Sequence, residues 1–153
     1  MPKTQGKKAT AADAEIVMRL YELRREPEMR KARKFFGELQ LNTMDDFRKY
    51  MDFTTQENAW IRMVTSYWEN AAALVLRGAV NRDLFLDWNG EMLFIYLKVK
   101  PVLKAVREMS PEFMLKTETV LTSTPELRKL VAEREVRMKK WMEMQKAAAA
   151  GKR

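Results

Sequence analysis

From Trp60 the large apolar residues recur at Ile61, Val64, Trp68, Ala71, Ala72 and Val75, spacings of three and four that align them on one helix face. Thr54 or Thr55 can cap its start, because a hydroxyl there accepts an amide proton of the first turn, and Glu57 suits the positive end. Arg77-Gly78 predicts its end, since glycine takes the left-handed conformation of a helix C-terminus. Asn81 then caps a short helix reaching to near Trp88, with Asp83 in its first turn, and Asn89-Gly90 is a break. A second long helix is expected from about Glu91 to Met109, with Met92, Ile95, Tyr96, Val99, Val102, Leu103 and Val106 along one side. Pro101 predicts a kink or a restart within it. Two long amphipathic helices joined by a short one form a hairpin, the natural centre of a bundle.

The flanking segments read as elements packed onto that hairpin. Residues 1–12 are polar, lysine-bearing and unpatterned, and predict a mobile basic arm. A helix begins near Ala12 or Asp13, with Ile16, Val17, Leu20 and Leu23 apolar. Pro27 fits the first turn of the next helix, whose inner face carries Met29, Ala32, Phe36 and Leu39. Thr43 and Asp46 have the spacing of a capping box. Ser110-Pro111-Glu112 is expected to restart a short helix containing Phe113, Met114 and Leu115. Thr124-Pro125-Glu126 opens a final helix to about residue 148, in which Leu127, Val131, Met138 and Trp141 make a narrow stripe interrupted by Arg134. The four alanines and the terminal Gly151-Lys152-Arg153 are expected to fray. The fold class is therefore all-α: about six helices around a central long hairpin, one domain over 13–148, a basic arm before it and a frayed tail at 149–153.

The central stretch also carries a resemblance. Trp68-Glu69, Leu76-Arg77-Gly78, Asp83-Leu84, the aromatic Tyr96, Pro101 and Arg107-Glu108 resemble the pattern of an uncharacterised bacterial family, domain of unknown function 4760, and the earlier block from Pro27 to Phe36 looks similar to that family's first block. The resemblance covers roughly residues 20 to 109. It implies no activity. Many members resemble membrane-anchored proteins with a leading hydrophobic helix, which this sequence does not show.

Composition narrows the chemistry. The 153 residues include no cysteine and no histidine, which removes disulfides, thiolate metal sites, Ser-His and Cys-His catalysis and the commonest metal ligand. No uncharged apolar run approaches bilayer length and no signal-peptide core follows the N-terminal lysines, so the expected location is cytoplasmic. The net charge of +8 is concentrated at the ends: residues 1–34 and 124–153 are each net +5, whereas 35–123 are net −2. Such a chain is drawn to polyanions whatever its purpose.

Three carboxylate groups invite a chemical reading. Asp83, Asp87 and Glu91, four apart, would share a face of one unbroken helix and could hold a magnesium-like ion, but Asn89-Gly90 should separate them, and Asp83 and Glu91 also suit helix starts. Asp45, Asp46 and Asp52 read as capping and turn residues more readily than as a metal cluster. Glu69, at the edge of the apolar stripe, is either a buried general acid or the partner of Arg77 or Arg107; the ion pair is the simpler account. No cofactor, metal or small-molecule substrate is indicated, and no enzyme is expected. The leading reading is a small non-enzymatic protein that binds another protein or itself through its terminal helices, with Leu127, Val131, Met138, Trp141 and Met142 at the contact. The alternative is nucleic-acid binding through Lys7, Lys8, Arg24, Arg25, Arg30, Lys31 and Lys34, against which stand Glu22, Glu26 and Glu28, interleaved as local partners that would leave a solvated face.

Overall fold

A computed structural model describes residues 6–151; residues 1–5 of the expected arm, and Lys152 and Arg153 of the expected tail, lie outside that range. Among the described residues there are eight helices: α1 (Ala11–Arg24), α2 (Pro27–Glu38), α3 (Met44–Arg48), α4 (Gln56–Leu76), α5 (Arg82–Trp88), α6 (Gly90–Met109), α7 (Leu115–Leu121) and α8 (Pro125–Ala150). Among the described residues the chain is an all-helical bundle, of eight helices where about six were expected. It forms two compact units, one running to Val120 and the other starting at Leu121.

Side-chain caps set most of the boundaries. Thr55 accepts from the Asn58 amide at the head of α4, and Gly78, at φ 71°, closes its far end. Asn81 caps α5, and Thr43 and Asp46 make the reciprocal capping box of α3. A second capping box, which the sequence reading passed over, starts α1 one residue earlier than expected: Asp13 donates its amide to Thr10 Oγ1 at 3.3 Å, and its carboxylate accepts the Thr10 amide at 2.7 Å. The other oxygen of Asp13 accepts the Asn81 amide at 2.7 Å, and Asn81 Nδ2 donates to the Lys7 carbonyl. Lys7 is thereby tied to the head of α5.

In the first unit α2 lies closest on α4. Trp60 Nε1 donates to Glu28 at 2.8 Å, and the Phe35 ring packs on Tyr50 and Trp60 with centroids 5.7 and 5.4 Å away. Phe36, Val64, Trp68, Ala72, Phe85, Met92 and Val99 are fully enclosed, each large side chain contributing about 1.5–3 kcal/mol of transfer free energy. The helix α6 supplies the most continuous buried surface and runs unbroken through Pro101, so the expected restart does not occur; Pro101 lies on its exposed side. Lys98 of α6 is buried, and its Nζ donates to the carbonyls of Gly37, at 2.9 Å, and Leu39. Those carbonyls end α2 and have no helical partner of their own, so the ammonium satisfies them at the negative end of the dipole.

The segment after α6 departs from the sequence reading. Residues 111–114 form turns and α7 begins only at Leu115. Met114 holds φ 54° with its side chain fully buried, and a left-handed residue cannot continue a right-handed helix. In the second unit Thr124 caps α8, and Arg128 donates to the Thr122 carbonyl at 2.7 Å. The alanines at 147–150 stay helical, consistent with alanine having the strongest helix preference, so the helix extends past the expected end. Among the described residues no helix is long and apolar enough to cross a membrane.

Candidate functional site

The strongest polar cluster joins three helices at Glu91. Arg33 donates from Nε to Glu91 Oε1 at 2.7 Å and from Nη2 to Oε2, while Arg24 Nη1 reaches Oε2 at 3.4 Å. Arg33 also donates to the Arg24 carbonyl at 3.1 Å, which fixes the end of α1 against α2. The Arg24 guanidinium lies over the rings of Tyr21 and Trp68, 5.3 and 5.4 Å from their centroids, two cation–π contacts that offset part of its burial. Hydrogen bonding to Glu91 raises the Arg33 pKa further above its ordinary value. Nearby, Tyr67 donates to the Leu20 carbonyl at 2.6 Å, and burial pushes its phenol up to about 12.

This geometry answers the carboxylate spacing. Asn89 ends α5 and Glu91 belongs to α6, so Glu91 turns to Arg24 and Arg33 while Asp83 lies 3.7 Å from Arg82. Among the described residues no group of three acidic side chains converges as a metal site would require. Asp46, the third residue of α3, completes its capping box by accepting the Thr43 amide at 3.0 Å, and Asp52 accepts from the amide and hydroxyl of Thr54 at 2.9 and 2.7 Å. Glu69 pairs with neither Arg77 nor Arg107. Its carboxylate accepts the amides of Thr117 and Lys116 at 2.8 and 3.2 Å and lies 3.6 Å from Lys116 Nζ, so it caps α7 from another helix. Arg107 instead donates to the Phe113 carbonyl at 3.0 Å and to Glu118 at 2.9 Å, pinning the turns before α7.

Beside the Glu91 cluster a cleft of about 340 Å³ opens between α2 and α6, lined by Arg30, Arg33, Lys34, Glu91, Phe94 and Ile95. The basic residues read from the sequence divide around it. Arg30 and Lys34 are exposed at the cleft, and neither side chain has an ion-pair partner among the described residues. Lys31 pairs with Glu28 at 3.3 Å, and Arg25 lies over Tyr21 at 5.8 Å. Arg24, only 7% exposed and committed to Glu91, is withdrawn from any phosphate-contacting face. Lys7 and Lys8 precede α1 and so stand about 20 Å from Arg24 along that helix. Arg30 and Lys34 are among the basic residues singled out from the sequence; Arg33 is not, and nothing local signals that Glu91 faces it.

The other candidate set lies on α8. Leu127 and Val131 are buried, Met138 and Met142 half-buried, and Trp141 exposed. Two further apolar residues there are exposed: Met144, at 71%, lies beside Trp141 three positions on, whereas Val136, at 55%, lies on the face opposite Leu127.

Comparison with known proteins bears on the first unit most directly. The profile described as Domain of unknown function (DUF4760) matches residues 9–123, a wider span than the one that carried the resemblance, and it ends just before α8. No curated protein and no solved structure matches the chain. Since the matched region takes in the Glu91 cluster, the Glu69 cap and most of the 153 residues, the chain belongs to the DUF4760 family.

Proposed function

We propose that this protein is a non-enzymatic association module whose distal α8 docks on another protein chain, either a second copy or a different partner. One observation carries this reading: along a helix of 26 residues the buried positions stop at Val131, while Trp141 and Met144, three positions apart on one face, remain 49% and 71% exposed. Burying a large apolar side chain contributes about 1.5–3 kcal/mol, so a patch of this size supports a reversible contact after the cost of association. Paired charges flank it, Lys139 with Glu135 at 3.4 Å and Lys129 with Glu133 at 3.9 Å, and keep the helix hydrated until it docks.

The test is sedimentation of the purified chain over a concentration range, with crosslinking in nuclease-treated lysate in parallel. Association that persists in high salt and disappears in a W141S/M144S variant supports the proposal. A chain that stays monomeric and crosslinks no partner beyond what the variant crosslinks overturns it.

Nucleic-acid binding is the second reading, favoured by the unpaired Arg30 and Lys34 on one face of α2. Phosphate contacts release counterions, so this reading requires affinity that falls steeply with ionic strength, the opposite of an apolar helix contact.

A further inference from the structure

We propose that the cleft between α2 and α6 binds a small phosphate-bearing organic molecule, its phosphate held by Arg30 and Lys34 and its less polar part resting on Phe94 and Ile95. The cleft's volume of about 340 Å³ lies in the range of small-ligand sites.

Its charge is built asymmetrically. Glu91, the carboxylate of the lining, is met by two guanidiniums, from Arg33 at 2.7 Å and from Arg24 at 3.4 Å, so its charge is more than neutralised. Arg33 also donates from its third nitrogen, Nη1, to the Arg24 carbonyl. The cleft therefore keeps a positive field while Arg33 stays fixed as its floor. Arg30 and Lys34, one helical turn apart, have no acid of their own at the cleft. Like charges four residues apart oppose the helix that carries them, and an anion between them removes that repulsion. An arginine fork beside a lysine point charge suits the several oxygens of a phosphate.

The apolar side of the lining limits the ligand to something larger than a free ion. Phe94 is half-buried, Ile95 is buried, and the Lys98 ammonium lies 5.8 Å from the Phe94 ring centroid on its way to the end of α2. A ring or chain attached to the phosphate would lie against Phe94, as bases do on aromatic platforms.

The experiment is an amide-resolved NMR titration of the full chain at low salt with adenosine monophosphate, inorganic phosphate, adenosine and a mixed-sequence oligonucleotide as separate probes. Saturable shifts confined to the Arg30–Lys34 and Glu91–Ile95 segments are expected with the monophosphate. Weaker shifts at the same place are expected with phosphate, and none with adenosine. The R30A/K34A variant alters two exposed side chains and should unfold at or slightly above the wild-type temperature, yet it should weaken binding about tenfold or more. The K140A/K146A variant on α8 should bind as wild type. Shifts spread over every lysine-bearing surface, no shift at the cleft, or binding of the oligonucleotide alone would each overturn the proposal.

Discussion

Arg33 grips Glu91 through two nitrogens across 58 positions of sequence, and Arg24 approaches the same carboxylate from the end of α1. The Glu91 side chain is 19% exposed and that of Arg24 8%, so neither charge is well served by water. Removing the acid leaves two poorly solvated guanidiniums without a counter-charge. E91A is expected to lower unfolding free energy by about 3 kcal/mol or more, and E91Q to recover only part of that. Urea denaturation measures both. A loss under about 1 kcal/mol for E91A would mean that the cluster behaves as an ordinary surface pair.

Glu69 is expected to act on stability and not on a reaction. E69A removes the acceptor for two α7 amides and should cost about 1–2 kcal/mol, the range for losing a helix cap. E69Q keeps one carbonyl acceptor and should cost less. Hydrogen exchange locates the effect: protection should fall first at Lys116 and Thr117.

The alkaline limit of stability is set by two groups of opposite sign. The Tyr67 phenol is pushed up to about 12 by burial, whereas in the unfolded chain it ionises near 10.0. Between these values the folded state holds a proton that the unfolded state has released, so stability is full below pH 10.0 and is lost as pH rises toward 12. Lys98 is shifted the other way, lowered from 10.5 by burial. Its charged form opposes folding at neutral pH, and that opposition lifts as pH climbs through the lowered pKa toward 10.5. Urea midpoints followed from neutral to alkaline pH should lose the downward slope in Y67F. In K98M they should lose the opposing upward one.

Met114 and Gly78 separate backbone strain from packing. Both hold positive φ, 54° and 71°. An added Cβ at Gly78 meets nothing within 4 Å, so G78A should show the conformational cost alone, about 1–2 kcal/mol. M114G relieves a similar strain but empties a fully buried methionine site, a loss of about 2–5 kcal/mol on the scale of large-to-small core substitutions. Packing wins, and M114G should be net destabilising in the same denaturation assay.

The amphipathic helices of this chain were legible because their periodicity and caps are local. Thr55, Asn81, Thr43 and Thr124 cap the helices their positions announce, and Met29, Ala32 and Phe36 face inward as spaced. What stayed hidden depends on residues far apart in sequence. Glu69 looked like a partner for arginine because its neighbours suggested nothing else, yet the α7 amides it caps lie 47 and 48 positions away. The α2 basic run read as a solvated face, and most of that reading stands: Arg30, Lys31 and Lys34 are exposed, whereas Arg33 is turned in by Glu91. Left-handed Met114 carried no glycine or asparagine to mark it. The candidate cleft follows the same division, its α2 side visible in the spacing and its α6 side visible only in three dimensions.

The long reach between Arg33 and Glu91 also has a consequence for synthesis. A ribosome delivers Arg24 and Arg33 well before the acid that neutralises them, and a guanidinium without its counter-charge resists leaving water. The first two helices are therefore expected to remain hydrated and loosely held until residue 91, which both arginines contact in the folded chain, has cleared the exit tunnel. Nascent chains arrested so that Glu91 is still inside the ribosome should be cut readily by protease within α1 and α2. Chains arrested after α6 has emerged should resist. That pattern would make one carboxylate the signal that enough of the chain has arrived for the first unit to close.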